Sequence, residues 1–195
     1  MQVKNQFINP NKMNWQPNFL ENDFVKLVPL TEGHFEQLYT VASDPLIWEQ
    51  HPNKNRYQLT VFKNFFEGAL LSKGAFLIVD AKTNEAIGSS RFCNYNPEKK
   101  LVEIGYTFYA RKCWGKPYNK STKQLMINYA LEKVNTIHFF VGAENIRSQK
   151  AMEKLGAIKL GEVLMPYYGE PDRLNFQYQI DRNLWVANSL NTENQ

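Results

Sequence analysis

Apolar residues recur at two spacings along the chain, and the changes between these spacings mark the predicted elements. Residues 24–30 alternate between apolar and polar positions, which is typical of a half-buried strand. Residues 35–42 and 61–70 carry apolar side chains three and four positions apart, which predicts two amphipathic helices. Residues 75–79 are wholly apolar and lie between turn residues, so they predict a short buried strand.

The second half of the chain continues with both patterns. Residues 96–98, Asn-Pro-Glu, separate two strand-like segments and predict an antiparallel pair. Gly156 ends the last helical pattern. The further predicted strands are 86–95, 101–111, 136–141, 158–164 and 174–180, and the further predicted helices are 119–133 and 146–155.

The order of these elements, β-α-α-β-β-β-α-β-α-β-β, differs from the regular alternation of a doubly wound sheet. It predicts an α/β (α+β) fold with a mixed, mostly antiparallel central sheet of about seven strands and helices on both faces. A chain of 195 residues corresponds to one domain. We interpret residues 1–22, rich in Asn, Gln and Pro, as an irregular N-terminal arm, residues 23–185 as the domain, and residues 186–195 as a C-terminal tail.

Composition narrows the class of protein. The chain has two cysteines, Cys93 and Cys113, and three histidines, and their spacing supplies no zinc site, so we expect no metal. Two isolated cysteines favour a reducing compartment, and the first fifteen residues lack the apolar core of a signal peptide, so we expect a cytoplasmic protein. No segment approaches 18 apolar residues, so we expect no membrane span. The net charge of +4 fits a polyanionic ligand.

A basic loop between a strand and a helix is the main functional signal. It spans residues 112–118, and five cations lie within thirteen residues: Arg111, Lys112, Lys116, Lys120 and Lys123. The first N–H groups of a helix lack internal partners and lie at the positive end of its dipole, so such a loop predicts an anion site. Ordinary surface lysines are the alternative interpretation, although a basic first turn opposes the helix dipole unless an anion is bound.

Three short segments carry a resemblance to a known family. They are E-I-G-Y at 103–106, W-G-K-P-Y-N at 114–119, and N-I-R-S at 145–148 followed by E-K-L-G at 153–156. In this order, with the predicted elements between them, they resemble the GNAT acetyltransferase superfamily, and most closely its RimJ/RimL-type N-acetyltransferases. The resemblance covers about residues 20–183, including D-F-V-K-L-V-P-L at 23–30, and it implies the GNAT fold for the domain.

The resemblance implies that acetyl-CoA is the cosubstrate. In this family the loop and the start of the next helix hold the pyrophosphate, the end of the preceding strand pairs with the pantetheine amides, and an asparagine lies near the pantetheine arm. The residues that it assigns to cofactor binding here are Phe108, Tyr109, Ala110, Trp114, Gly115, Lys116, Tyr118, Asn119, Lys120 and Asn145.

The implied chemistry is direct transfer of the acetyl group to an amine. Because most amines are protonated at pH 7, a base is useful, and Glu103 is our candidate. A solvent-facing strand carboxylate is the alternative reading of Glu103. Many relatives supply an acid to the thiolate from a tyrosine where this chain has Met152, and the RimJ/RimL branch substitutes a serine, here Ser148. A helix cap is the alternative reading of Ser148.

The acceptor is an amine of a protein N-terminus or of a small molecule, and both remain open, as do a monomer and a homodimer. Trp48, His51, Tyr57, Tyr167, Tyr168 and Glu170 are the candidates for the acceptor pocket, because they lie in loops that flank it in this fold.

Departures from the family pattern define the alternatives. Pro117 replaces the usual glycine and removes one N–H donor, and Ser121 replaces a usual glutamate. The alternative function is therefore a non-catalytic acyl-CoA-binding module. A covalent mechanism through Cys113, beside Lys112, would need a paired histidine. Nucleic acid is not favoured as a partner, because the sequence does not predict a basic face with interleaved aromatic residues.

Overall fold

The computed structural model describes residues 13–167 and 170–186. Its elements follow the predicted order, β-α-α-β-β-β-α-β-α-β-β, apart from short 3-10 turns. The strands are β1 Val25–Pro29, β2 Ala75–Asp80, β3 Ala86–Asn96, β4 Leu101–Tyr109, β5 Thr136–Gly142, β6 Ile158–Tyr167 and β7 Glu170–Asp181. The helices are α1 Phe35–Ala42, α2 Leu59–Ser72, α3 Tyr118–Leu131 and α4 Ile146–Lys154.

All seven strands form one sheet in the order β1-β2-β3-β4-β5-β7-β6. Every neighbouring pair is antiparallel except β4 and β5, which are parallel. The predicted fold class, a mixed and mostly antiparallel seven-stranded sheet with helices, is therefore confirmed.

The ends of several elements differ from the prediction. β4 ends at Tyr109 rather than at residue 111, because Arg111–Cys113 turns into a 3-10 helix. β7 begins at Glu170 rather than at residue 174, and its longer ladder with β6 includes apolar positions that stay exposed, such as Leu164 and Leu174. Exposed apolar positions weaken the period on which a sequence-based strand boundary depends.

Two separate apolar cores lie on the two faces of the sheet. On one face, α1 and α2 bury Leu38, Phe62 and Phe66 against the sheet. On the other face, α3 and α4 bury side chains that include Met126 and Met152. A side chain on β3 or β4 that contacts α1 or α2 therefore lies on one face of the sheet, and a side chain that contacts α3 or α4 lies on the other.

Part of the N-terminal segment packs against the domain. Trp15 is buried, and its ring lies 5.0 Å from the ring of Phe92 and 5.2 Å from that of Tyr95. Burial of a large aromatic side chain contributes a few kcal/mol, about 1.5–3 on transfer scales, so residues 13–22 are irregular but attached. Residues 1–12 and 187–195 lie outside the described chain, and the division into arm, domain and tail stays a prediction.

Candidate active-site cleft

The parallel strands β4 and β5 open apart beyond a short paired segment. Their register covers Leu101, Val102 and Glu103 against residues 136–138. Beyond Glu103, β4 and β5 no longer pair with each other. β4 continues to pair with β3 as far as Tyr109, and β5 continues to pair with β7 as far as Gly142. The opening leads into a cleft with a volume of about 870 Å³, lined by β4, β5, the basic loop and α4.

A bulge in β4 shapes this opening. Gly105 pairs with Arg91 and Phe108 pairs with Ser89, so two β4 residues face a single β3 residue. Tyr106, the first of the two, has a φ of 55°. A positive φ is unusual for a residue with a side chain and marks a local irregularity that is often functional. The bulge places Tyr106 on the α2 face, where its ring contacts Arg91, while Thr107 contacts α3.

The N-terminus of α3 lies at the mouth of the cleft. The first intrahelical hydrogen bond runs from Ser121 N–H to the Pro117 carbonyl over 2.9 Å, so the N–H groups of residues 118–120 precede the helical ladder. Gly115 turns the loop with a φ of 73°. Lys116 and Lys120 are exposed and line the same mouth. Free helical N–H groups and two cations suit an anionic ligand.

Three of the five predicted loop cations have other roles. Arg111 pairs with Asp44, and Lys112 Nζ lies 2.5 Å from Glu85 Oε2. Lys123 is buried inside the cleft, with 3% of its surface exposed. The predicted cluster of five is therefore reduced to Lys116 and Lys120 at the mouth.

Most residues assigned to cofactor binding line the cleft, and two do not. The Tyr118 hydroxyl donates to Asp80 Oδ2 over 2.6 Å, which raises the pKa of Tyr118 to about 12 and holds its side chain away from the cleft. Ala110 lies outside the cleft lining, and its N–H donates to the Ile87 carbonyl. The residues that do line the cleft are Phe108, Tyr109, Trp114, Gly115, Lys116, Asn119, Lys120 and Asn145.

Glu103 lies at the base of the opening and is buried, with 4% of its surface exposed. The solvent-facing alternative is therefore wrong. Burial raises the pKa of Glu103, and the hydrogen bond from Asn94 and the nearby Arg91 and Cys93 oppose the rise only in part. A carboxylate with a raised pKa and access to a cleft is suited to accept a proton.

Asn145 and Ser148 lie together at the start of α4. Asn145 is the helix cap, because its Oδ1 accepts a hydrogen bond from Ser148 N–H over 3.1 Å. The alternative reading of Ser148 as the cap is therefore wrong, and Ser148 lines the cleft beside Met152. Arg147, on the same turn, stacks its guanidinium 3.6 Å from the ring of Trp114 and so joins α4 to the loop.

Lys123 is a cleft residue whose position the sequence reasoning did not anticipate. It falls on the buried stripe of α3 with Met126, Ile127 and Ala130, at spacings of three, four and seven residues. This period could have identified it as an inward-facing lysine. Burial lowers the pKa of Lys123 to about 7.

Aromatic residues form the wall of the cleft on the α2 face. Trp48, His51 and Tyr167 line the cleft as expected, whereas Tyr57 does not. Tyr168 lies outside the described residues, and Glu170 is described only as the first residue of β7.

Buried Arg56 lies behind this wall, and the sequence did not single it out. Its guanidinium carbon is 5.3 Å from the ring of Tyr167, and its Nη1 is 3.0 Å from His51 Nε2. Burial, followed by the charge of Arg56, holds the pKa of His51 well below its ordinary value, so this imidazole is neutral.

The Cys113 thiol gives no support to a covalent mechanism. Cys113 lines the cleft but is buried, and burial raises its pKa although Lys112 and Lys116 act in the opposite direction. A thiol with a raised pKa is a weak nucleophile at neutral pH.

Within residues 13–167 and 170–186, no helix combines the length and apolar character needed to cross a membrane. The described residues also contain no group of three or more His, Cys, Asp or Glu side chains that could hold a metal ion.

Comparisons with known proteins agree with this geometry. Residues 25–158 match the model of a protein family described as the acetyltransferase (GNAT) domain. A protein from T. thermophilus assigned as an acetyltransferase is 25% identical, with a TM-score of 0.72 over 88% of this chain and 93% of that one. No curated protein matches the sequence.

Two solved structures of more distant sequence share the fold alone. A Vibrio cholerae protein assigned as a ribosomal-protein-serine acetyltransferase is 16% identical, with a TM-score of 0.68 over 85% of this chain and 99% of that one. The Vibrio cholerae spermidine N-acetyltransferase, solved with CoA and spermine, is 14% identical, with a TM-score of 0.65 over 85% of this chain and 99% of that one.

Proposed function

The chain belongs to the GNAT acetyltransferase family, and from this premise we propose that it transfers the acetyl group of acetyl-CoA directly to an amine. The observation that carries the proposal is the cleft between β4 and β5. It joins a helix N-terminus with two lysines at its mouth to a buried carboxylate at its base.

The mouth of the cleft fits the phosphates of acetyl-CoA. The N–H groups at the start of α3, the left-handed turn at Gly115, and the side chains of Lys116 and Lys120 would hold the pyrophosphate. The edge of β4 that faces the opening has no strand partner beyond Glu103 among the described residues, so it is available to the amides of the pantetheine arm. When bound, acetyl-CoA supplies an activated acetyl group on a thioester.

The base of the cleft fits deprotonation of the acceptor amine. Glu103 would accept the proton, and its raised pKa brings it closer to that of an amine. Trp48 and Tyr167 would enclose the acceptor on the α2 face. Ser148, at the first turn of α4, would donate a hydrogen bond to the leaving thiolate.

The acceptor and the branch of the family are finer proposals. The motifs favour a RimJ/RimL-like enzyme, for which a protein N-terminus is the expected acceptor, and one structural neighbour is assigned as a ribosomal-protein-serine acetyltransferase. A small amine is the other candidate, and another neighbour is a spermidine N-acetyltransferase. Cys93 and Cys113 are both free thiols, which supports a cytoplasmic location.

A ligand-binding experiment tests the cofactor half of the proposal. The thermal unfolding midpoint is measured with and without acetyl-CoA, with ATP as a control for generic phosphate binding. Ligand at a hundred times its dissociation constant adds about 2.7 kcal/mol to the unfolding free energy, which raises the midpoint by roughly 5–11 °C. A midpoint that millimolar acetyl-CoA leaves unchanged contradicts the proposal.

An acceptor screen tests the catalytic half. Release of free CoA thiol is followed with polyamines, amino acids and peptides with free N-termini, for the wild type and for Glu103→Gln. Removal of a general base lowers kcat about 10²- to 10⁴-fold. The matched control is Glu98→Gln, which changes an exposed carboxylate in the β3–β4 turn. Acetyl-CoA binding without turnover on any amine would favour the non-catalytic acyl-CoA-binding module, which Pro117 and Met152 suggest.

A further inference from the structure

Lys123 enters the cleft from the face of the sheet opposite to that of Glu103. Its Nζ donates to Thr107 Oγ1 over 2.7 Å and lies 3.5 Å from Ser90 Oγ. The Lys123 side chain belongs to α3, whereas Glu103 shares its surroundings with Arg91, whose guanidinium lies against Phe65 of α2. Two titratable side chains therefore reach one opening from its two sides.

The groups around Lys123 provide little stabilisation of its charged, ammonium form. The groups that face it are the hydroxyl of Ser90 on β3, the hydroxyl of Thr107 on β4, and the ring of Phe139 on β5 at 5.6 Å from Nζ. Cys93 on β3 is the titratable group that acts on it, but burial raises the pKa of the Cys93 thiol well above its ordinary value. Cys93 is therefore neutral at pH 7 and supplies no counter-charge.

A buried lysine with only neutral groups around it is costly to the fold. Lys123 has 3% of its surface exposed, and lysine is almost never fully buried unless it is paired. The remaining positions of the same helical stripe, such as Met126 and Ile127, are apolar. A methionine or leucine at residue 123 would complete the apolar stripe without the cost of burying an amine. This cost suggests that the amine has a chemical role.

We propose that Lys123 is a proton-transfer residue of the acetyl transfer, acting on the donor side of the cleft as Glu103 acts on the acceptor side. The proposal rests on the proposed function. The location is suitable, because Lys120 at the mouth, one turn earlier on α3, marks the side on which the phosphates would lie, and Lys123 lies one turn deeper.

The proton balance of the step is complete. The bond between the amine nitrogen and the acetyl carbon forms, and the bond between that carbon and sulfur breaks with its electron pair on sulfur. The acceptor reacts as the neutral amine, after its ammonium form has lost one proton to solvent. Glu103 takes the second proton, which the nitrogen loses on acylation, and the Lys123 ammonium gives a proton to the thiolate. Glu103 then releases its proton to solvent, and Lys123 takes up a proton from solvent. A lysine whose pKa is lowered to about 7 titrates in the neutral range, so it can both donate its proton and regain it.

The first test is a direct titration of the free protein, which does not depend on turnover. Lysine labelled with ¹³C at Cε is followed by NMR from pH 5 to 11 in the wild type and in Lys123→Met. We expect one lysine signal to titrate near pH 7 in the wild type and to be missing from the variant. If every lysine titrates near 10, as lysines in water do, the proposal is overturned.

The second test compares kinetics in the same variant. Lys123→Met keeps the length and apolar packing of the side chain, so we expect an intact fold, an unchanged midpoint shift with acetyl-CoA, and a kcat lower by about 10²-fold or more. The matched control is Lys63→Met, an exposed lysine on α2, for which kcat stays within twofold. Full kcat in Lys123→Met, or loss of acetyl-CoA binding together with turnover, overturns the proposal.

The third test keeps the lysine and changes its partner. Thr107→Val removes the hydroxyl that accepts from Lys123 Nζ and preserves the shape of the side chain. Because that hydrogen bond favours the charged amine, its loss lowers the pKa of Lys123, and the alkaline limb of the kcat profile moves to lower pH. A limb that does not move counts against the proposal even if Lys123→Met fails to fold. Absence of turnover by the wild type with every amine refutes the proposed function itself, and the NMR titration separates the two failures.

Discussion

Asn94 donates a hydrogen bond to the carboxylate of Glu103, with 2.7 Å between Asn94 Nδ2 and Glu103 Oε2. Asn94 has a φ of 51° and lies where the register between β3 and β4 is irregular, between Cys93 and Asn96. Asparagine adopts this left-handed conformation more readily than most residues. The irregularity of β3 thus coincides with a direct contact to the proposed base.

This contact predicts the effect of removing the Asn94 amide. A hydrogen bond to an ionised carboxylate lowers its pKa, so its loss in Asn94→Gly raises the pKa of Glu103 further. The base then loses its proton only at higher pH, and the acidic limb of the kcat/KM profile moves to higher pH. Glycine suits the left-handed backbone, so the fold is kept.

Asn84→Gly is the matched control for this variant. Asn84 also has a left-handed φ, 56°, but its side chain accepts from Lys26 Nζ outside the cleft. Its pH profile should coincide with that of the wild type. If the acidic limb of the kcat/KM profile moves equally in both variants, the shift comes from the loss of an asparagine side chain at a left-handed position and not from the loss of the contact with Glu103.

The raised pKa of Glu103 also predicts how stability depends on pH. In the folded chain the carboxylate loses its proton at higher pH than in the unfolded chain, so the wild type loses stability as the pH rises from the ordinary glutamate value through the raised one. Glu103→Gln is neutral throughout and escapes this loss. A one-unit rise in pKa corresponds to about 1.4 kcal/mol.

Urea unfolding at pH 4 and pH 8 measures the difference. We expect Glu103→Gln to gain stability relative to the wild type between the two values, while its turnover falls. Glu98→Gln, at an exposed position, should track the wild type at both. A variant that is less stable than the wild type at pH 8 would show that the carboxylate stabilises the fold, contrary to this account.

The lysines at the mouth of the cleft predict a selective loss of affinity. Lys116→Met with Lys120→Met removes two cations from the proposed phosphate site and should raise the acetyl-CoA dissociation constant by about tenfold for each charge-assisted hydrogen bond that is removed. The dependence of affinity on salt should fall as well. Titration calorimetry at two salt concentrations measures both effects.

Lys112→Met is the informative control for that pair, since it lies in the same loop. Lys112 is held by Glu85 rather than pointing into the cleft, so the affinity should stay within about twofold. If Lys112→Met weakened binding as much as the double variant does, the net positive charge of the basic loop, and not contacts from Lys116 and Lys120, would determine the affinity.

The fold could be predicted from the sequence because the spacing of apolar residues identifies each element and the order of the elements identifies the fold class. The alternation in residues 24–30 and the helical spacing in residues 35–42 each predicted an element that the structure contains. The ends were less predictable. A 3-10 turn at Arg111–Cys113 shortens β4. Its first residue, Arg111, contacts Asp44, which lies 67 residues away and is a partner that no local pattern encodes.

The site was predictable at the level of motifs and not of side-chain roles. The segment at 114–119 identified the loop, and Gly115, Lys116 and Asn119 do line the cleft. The side chain of Tyr118 is instead bound to Asp80, the last residue of β2, which lies 38 residues earlier in the chain. The local density of positive charge predicts that Lys123 belongs to the anion site with the loop cations, whereas its helical period indicates a position in the core.

Pro117 predicts a gain of affinity on substitution. It occupies the N-cap position of α3 with a φ of −65°, and its carbonyl accepts from Ser121 N–H. Of the four N–H groups that a helix start leaves free, proline removes one, and residues 118–120 keep the other three. Pro117→Gly restores the fourth donor, and a hydrogen bond to a charged group contributes about 1.5–3 kcal/mol.

We therefore expect Pro117→Gly to bind acetyl-CoA about ten- to hundred-fold more tightly by calorimetry. It should also lower the unfolding free energy of the free protein by about 0.4–1 kcal/mol, because glycine gives the unfolded chain more freedom. Pro97→Gly, in the exposed β3–β4 turn, is the control for that entropic effect and should leave the affinity unchanged. If Pro117→Gly binds no more tightly than the wild type, the three remaining N–H groups and the two lysines already satisfy the phosphates. The proline would then be a helix-starting residue with no cost to the site.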